Sequence, residues 1–463
     1  MKLWSISVRN LRIRLVSTIL TMLAITVATG LYAAIMLMAQ QTRERYEGSI
    51  GGYQTVFGPK DSSQLELLLN TIFNVGEAPG QIPLKVCDDL REGRVTRRGV
   101  VRYAIPQGRG DSISRYGFPV IGTTDEMFSL FEWQRAPLRF QEGGPWAFAY
   151  QDLKVLADEL AAFETVRRTG EGTLPVRPVI DPKWKKAVIG QRVARSLELS
   201  LGSTIVPVHG KFGEFGSHEH PEAACEVVGI LAPTNSPLDT TVFLPLGVQL
   251  LVGGHEGGLF KVEVPQGKNP DDAAKLPVTA GQLALTALLV DPKDPVGAQI
   301  LRREFSARGD AQAAWPQDVI PKFLRQLGNA ADWLEIIAQL VLVVAAMMIA
   351  VAIYNTMNER RREIAIMRSL GARRTQIVAI IVGEATMLSL GGAVLGVLLC
   401  HVAAFFLRST IEDMTGVWLD WTAFADRELY LLLGVALLGA SAGLLPAIKG
   451  STTQVADNLS QTY

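Results

Sequence analysis

Four stretches of this chain stay apolar long enough to cross a bilayer. "LVSTILTMLAITVATGLYAAIMLMA" occupies Leu15–Ala39 and "LEIIAQLVLVVAAMMIAVAIY" Leu334–Tyr354. "IVAIIVGEATMLSLGGAVLGVLLCHVAAFFL" occupies Ile377–Leu407 and "LYLLLGVALLGASAGLLPAI" Leu429–Ile448. A helix needs roughly 20 apolar residues to span the hydrocarbon core, so the pattern predicts four transmembrane helices. Between residues 40 and 333 the apolar runs are shorter and mixed in period. "QLELLLNTIFN" has helical spacing, while "GVVRYAIPQGRG" and "YGFPVIGTTDEMFSLF" read as short strands and turns. "LKVLADELAAFETVRR" predicts an exposed helix before the linker "LPVRPVIDP". Strand, helix and strand fit "AVIGQRVARSLELSLGSTIVPV", with turns at Gly190 and Gly202. "CEVVGILAPTNSPLDTTVFLPL" reads as two strands about a Pro/Asn/Ser turn, "LALTALLV" as a strand and "VGAQILRREF" as a helix. "VIPKFLRQLGNAADWLEIIAQL" leads helically into the second span, and "QQTRERYEGSIGG" extends the first helix until Gly51-Gly52.

The expected fold class is membrane α-helical, with four transmembrane helices and a large mixed α+β extracytoplasmic domain between helices 1 and 2. The expected order is a cytoplasmic amphipathic segment (1–14), helix 1 (15–39), the outer domain (40–333) and helix 2 (334–357). A cytoplasmic segment (358–376), helix 3 (377–407), a short outer loop (408–428), helix 4 (429–448) and a cytoplasmic tail (449–463) follow.

Composition fits this division. The 463 residues are 48% hydrophobic, and 45 basic residues balance 45 acidic ones, which gives no global case for a nucleic-acid partner. The first apolar run exceeds the about 7–15 residues of a signal-peptide core, and "LMAQQ" lacks a small residue three before the would-be cut. It is read as an uncleaved anchor. Basic residues set the orientation. Lys2, Arg9, Arg12 and Arg14 precede the first span, and six arginines lie between spans two and three. The loop between spans three and four is acidic. Both termini and the 358–376 segment are therefore expected in the cytoplasm. Of the three cysteines, Cys400 falls in a span. Cys87 and Cys225 share the outer domain, where a disulfide or two free thiols are both open.

Several residues within the spans invite packing or chemistry. Thr18, Thr21, Thr26 and Thr29 cluster on one side of the first helix. Gly392 and Gly396, and likewise Gly439 and Gly443, stand at GxxxG spacing, which favours close helix approach within or between chains. Glu384 is expected to reach the headgroups or a neighbouring helix rather than to relay protons, and His401 to be structural. Outside the spans, the run "HGKFGEFGSHEH" contains His209, His218 and His220, with His255 further on and Glu214, Glu219 and Glu222 as possible oxygen ligands. Neutral imidazoles suit zinc or copper. The alternative is a polar loop without a metal.

The segment "NERRREIAIMRSLGARRTQI" is unusual for a membrane boundary. Ile364, Met367 and Leu370 form an apolar stripe on a short helix, and Gly371 fits its C-cap. Glu359, Arg360, Arg361, Glu363 and Arg368 surround the stripe. A basic lipid anchor is one reading. Mixed charge beside an apolar face favours docking onto a protein.

Extended to "NERRREIAIMRSLGARRTQIVAIIVGEATMLSLGGAVLGVLLC", the segment resembles the signature of FtsX/MacB-type permeases, the type VII ABC transporter superfamily. "VRNLRIRLVSTILTMLAI" and "LLPAIKGSTTQVADNL" resemble that family's ends. "VIGQRVARSLELSLGSTIVPV" and "EVVGILAPTNSPLDTTVFLPL" resemble strands of its periplasmic core, while the likeness does not explain residues 51–180 with any precision. The resemblance implies a homodimer or heterodimer with a second permease copy in the bacterial inner membrane. It also implies a separate cytoplasmic ABC ATPase bound at residues 358–372, helped by the N-terminal segment with Trp4. No G-x-x-x-x-G-K-[ST] loop is present, so ATP and magnesium belong on the partner and no cofactor is expected in this chain. The implied mechanism is mechanotransmission, in which ATPase closure moves the helices and the helices move the outer domain. Three roles remain open: export or lipoprotein extraction with a periplasmic adaptor, signalling to a periplasmic hydrolase, and a metal-linked system.

Overall fold

The computed structural model describes residues 15–94, 99–113, 117–209, 218–252, 258–262, 274–359, 361–415, 420–424 and 426–451. The chain forms two compact units, Arg45–Leu324 and Met1–Glu44 with Arg325–Tyr463. Along it run helices α1 (Leu15–Ser49), α2 (Gln64–Phe73), α3 (Leu84–Glu92), α4 (Tyr150–Thr169), α5 (Gln191–Ser196), α6 (Leu246–Leu251) and α7 (Pro295–Ala307). They are followed by α8 (Pro316–Glu359), α9 (Arg361–Ser369), α10 (Arg374–Thr415) and α11 (Asp426–Ser451). Among the described residues, four helical stretches are long and apolar enough to cross a membrane: Thr18–Glu44, Asp332–Asn355, Arg374–Arg408 and Arg427–Lys449. The second and third spans thus extend little beyond the apolar runs. The helices that contain the first two are much longer, because polar residues continue the helical pattern on either side.

The unit from Arg45 to Leu324 is built on one twelve-stranded sheet. Its strands are β1 (Thr55–Gly58), β2 (Val101–Ile113), β3 (Phe118–Thr123), β4 (Phe140–Gly143), β5 (Lys186–Ile189) and β6 (Thr204–Ile205). The remainder are β7 (Val208–His209), β8 (His218–Glu219), β9 (Cys225–Leu231), β10 (Val242–Pro245), β11 (Ala287–Pro292) and β12 (Gln312–Ala314). The main path runs β12-β1-β11-β2-β3-β10-β5-β9-β4, with β6 on β9 and the β7–β8 ladder on β2. β3/β10 and β5/β9 are parallel. The strand–helix–strand and strand–turn–strand units read from residues 187–246 supply the β5-to-β10 region. One core cluster forms there from Ala187, Ile189, Val227, Val242 and Leu244, all at or near zero exposure.

Local chemistry fixes the helices around the sheet. Ser63 caps α2 by accepting the Glu66 amide at 3.1 Å, and Asn74 ends it in the left-handed region. Arg109 from β2 donates to the Asn70 carbonyl at 2.8 Å, to Asn74 Oδ1 at 2.7 Å and to the Thr71 carbonyl, so it caps the carbonyl end of α2. Desolvation there pulls its pKa down to about 10, which leaves it charged at neutral pH. Helix α4 is not an exposed helix: Leu153, Leu156, Ala157, Leu160 and Ala161 are buried. Most of its charged residues sit on the other face, but Glu164 is buried and accepts from Arg167 at 2.7 Å and Arg168 at 2.6 Å. Asp88 in α3 accepts from Tyr150 at 2.8 Å and Lys154 at 2.7 Å, which ties α3 to α4. Cys87 and Cys225 are buried free thiols rather than a disulfide. Burial pushes both upward, Cys225 to about 12.

In the other unit, α10 packs against both α1 and α11 through small residues. Thr26 on α1 donates to the Gly392 carbonyl at 3.2 Å. A Cβ added at Gly396 would lie 2.7 Å from the Thr26 carbonyl oxygen and 2.9 Å from the Gly30 amide; one at Gly392 would lie 2.8 Å from Ile25. Gly439 and Gly443 on α11 meet Ser389 and Ala385 of α10 in the same manner. Thr21 and Thr29 are buried, and Thr18 is half-buried. Both GxxxG pairs therefore pack within one chain. Gly383, by contrast, faces open space. Replacing Gly396 by Leu is expected to cost about 1–3 kcal/mol by overpacking, read as a lower unfolding temperature in detergent. Gly383→Leu is expected to leave that temperature unchanged. Equal melting of the two variants would exclude the contact as a source of stability.

Candidate functional site

Helix α9 lies between the second and third spans and is short because Gly371 ends it. Its last turn is closed by a pair of backbone bonds: Ala372 N–H reaches the Met367 carbonyl and Gly371 N–H the Arg368 carbonyl, both at 3.0 Å. Gly371 takes φ +95°. This is a Schellman cap, with Gly at the one position that needs a left-handed backbone. Helix α10 then starts at once. Gln376 accepts the Arg373 amide at 2.9 Å, which satisfies a donor at its N-terminus.

The apolar stripe of α9 divides. Ile364 is 5% exposed and belongs to the buried cluster of the helical unit, where α9 packs against α11. Met367 packs against the same cluster. Leu370 is 83% exposed and Ile366 44%. Spacing put Ile364, Met367 and Leu370 on one stripe, but Ile364 and Met367 meet the buried cluster, whereas Leu370, just past the end of α9, is open surface. Ile364 is therefore not offered for docking; Leu370 and Ile366 are. Arg368 is half-buried. Glu359, Arg361 and Glu363 lie on helical backbone, whereas Arg360 and residues 1–14 are outside the described residues.

The histidines are brought together in part. β7 and β8 pair His209 opposite His218. The His209 and His220 rings stand 6.4 Å apart. His209 Nδ1 is 3.3 Å from Asp111 and His220 Nδ1 3.1 Å from Glu222. Residues 210–217 and His255 lie outside the described residues. Among the described residues, no three His, Cys, Asp or Glu side chains are grouped to hold a metal.

Comparison with known proteins places these features. Residues 18–276 match the model of the MacB-like periplasmic core domain, and residues 335–455 match the FtsX-like permease C-terminal model. The chain belongs to the FtsX/MacB-type ABC transporter permeases. It is also 36% identical over 110 residues to an uncharacterized ABC transporter permease of Methanocaldococcus jannaschii, a match that covers 22% of this chain and 27% of that protein. The permease is thus a multi-pass membrane protein, and its family implies an ATPase component.

Two polar groupings in the permease's spans were not evident as groupings in the sequence. His401 Nδ1 lies 2.6 Å from the Trp421 carbonyl and Nε2 3.2 Å from Glu428, with both side chains buried. A carbonyl only accepts, so Nδ1 carries a proton; the second bond needs a further proton on Nε2 or on Glu428. This pair closes the connection between α10 and α11, and gives His401 the structural role expected of it. The other grouping joins Tyr32 to Glu335 across 303 positions at 2.7 Å. The only sequence signal was a carboxylate inside an apolar run.

The Schellman cap makes a sharp prediction. Gly371→Ala forces an alanine into the left-handed region at about 1 kcal/mol, whereas Gly371→Asn is tolerated better. Amide hydrogen exchange of residues 364–372 should quicken about fivefold in the alanine variant and less in the asparagine variant. Unchanged exchange in Gly371→Ala would remove the cap from the account.

Proposed function

We propose that this permease couples ATP hydrolysis on a separate cytoplasmic ATPase to movement of its outer domain, for export or extraction of a substrate. The observation that carries this reading is the construction of α9. It is fastened to the span bundle by Ile364 and Met367, rigidly capped at Gly371, and exposes Leu370 and Ile366. A partner that pushes on the open end moves α8 and α10 with it. Long unbroken helices support the same reading: α1 has 35 residues and α8 has 44, or roughly 50 and 65 Å, against a hydrocarbon core of about 30 Å. The buried polar groups of the spans are mainly hydroxyls at helix contacts, with the His401–Glu428 pair at one end, so the spans offer little to line a solute path. The reading places the chain in the bacterial inner membrane with both termini in the cytoplasm, and as a dimer with a second permease copy.

Co-purification of the full chain with its ATPase tests the reading. Leu370→Asp and Ile366→Asp are expected to abolish the complex while the permease stays monodisperse. Ile364→Ala is expected instead to lower the unfolding temperature, since truncating a buried isoleucine costs about 2–5 kcal/mol. Undiminished complex with Leu370→Asp would refute docking at this end.

A second reading, a permease of a zinc-linked system, draws on the β7–β8 hairpin. Each of His209 and His220 engages a carboxylate through Nδ1, the outer-partner arrangement that orients metal-ligating histidines. Among the described residues the histidines are not grouped as a ligand set, so zinc would have to draw His209, His218 and His220 together and would brace the two strands in doing so. On this reading the full-length protein retains zinc, and a combined His218→Ala and His220→Ala variant loses it. Equal zinc content in the two proteins would remove the site. Signalling to a periplasmic hydrolase uses the same movement and would be recognised by its partner: hydrolase co-purification in place of an adaptor or lipoprotein.

A further inference from the structure

The helical unit holds a cavity of about 440 Å³ among α1, α8 and α11 that ATPase coupling does not use. Its volume falls in the range of small-ligand sites. Its polar part is formed by Tyr32, Glu335, Gln339 and Arg427, and its apolar part by Leu342 and Val435 among others. Arg427 is the first residue of its span, and Glu335 is three residues past Asp332 at the start of another, roughly 5 Å along the helix. The charges thus sit at headgroup depth. Leu342 and Val435 lie roughly 12–15 Å along their helices from the same ends, at acyl-chain depth.

The two charges are held but do not neutralise each other. Glu335 Oε1 accepts the Tyr32 hydroxyl at 2.7 Å and the Gln339 amide at 3.3 Å. Its other oxygen has no hydrogen-bond partner among the described residues. Arg427 forms no ion pair among the described residues and is exposed. A carboxylate and a guanidinium that form no ion pair among the described residues, at a membrane boundary above an apolar slot, are complementary to a ligand with both signs of charge and a hydrocarbon tail. A purely anionic lipid would bring its phosphate beside Glu335. An apolar ligand would leave both charges unsatisfied.

We propose that this cavity binds one zwitterionic phospholipid, with its phosphate on Arg427, its ammonium on Glu335 and an acyl chain along Leu342 and Val435. The proposal rests on the chain's being a membrane protein and stands apart from the ATPase-coupling reading.

The test uses the full chain, delipidated in detergent and incubated with phosphatidylethanolamine or phosphatidylglycerol, with bound lipid counted by native mass spectrometry. Wild type is expected to hold one phosphatidylethanolamine per chain in preference to phosphatidylglycerol. Arg427→Gln is expected to weaken it about tenfold, the weight of one charge-assisted hydrogen bond, and Arg427→Lys to restore most of that loss. Glu335→Gln is expected to weaken phosphatidylethanolamine and to raise phosphatidylglycerol binding. Leu438→Trp, which fills the slot without touching either charge, is expected to lower both; melting temperatures verify that each variant is folded. Equal retention in wild type and Arg427→Gln, or phosphatidylglycerol bound as tightly as phosphatidylethanolamine, overturns the proposal. It also falls if a cysteine at Gly434 forms a disulfide with a second copy in lipid nanodiscs while no lipid is retained, since the cavity is then a contact between chains.

Discussion

In a bilayer, one apolar helix gains nothing from the hydrophobic effect by leaving lipid for another, so association depends on how closely backbones approach. Gly30 and Gly396 supply that approach between α1 and α10, and Gly439 and Gly443 supply it between α11 and α10. Thr26 adds a hydrogen bond to the Gly392 carbonyl. α10 is therefore gripped on two sides by contacts that a single methyl group would disturb. Everything fastened to α10 inherits this rigidity, α9 above all.

The docking role proposed for α9 depends on that support. A free amphipathic helix on a flexible loop would absorb a partner's push. Here two residues, Ala372 and Arg373, separate the Gly371 cap from α10, and Ile364 is sunk in the helical cluster. The arginines that crowd the segment add edge charge. The apolar residues decide which end is fixed and which is offered.

How much of this was legible in the sequence follows from what each signal measures. The spans were legible because length and apolarity are the physical requirement for crossing lipid. Gly371 was legible because a left-handed C-cap favours glycine. Ile364 and Leu370 were placed on one stripe, but periodicity reports which residues share a face and not which neighbour that face meets. Their opposite exposures needed tertiary structure. α4 was read as exposed because its charges outnumber its leucines, although Leu153, Leu156 and Leu160 kept helical spacing. The glycine pairs announced close packing without naming Thr26 and Gly30 as their partners. Tyr32, Glu335 and Arg427 come from three separate spans, and no local pattern joins residues so far apart in the chain.

The length of α8 has a mechanical consequence. A helix of 44 residues whose first turns are also packed, with Ile320 fully buried, behaves as a stiff rod. Its stiffness comes from the ladder of backbone hydrogen bonds, which lacks one donor at its single internal proline, Pro321, in the second turn near the end remote from α9. Tilting such a rod by a few degrees at one end would displace its other end by several ångströms without breaking those bonds. Displacement at the far end therefore grows with helix length at almost no added conformational cost.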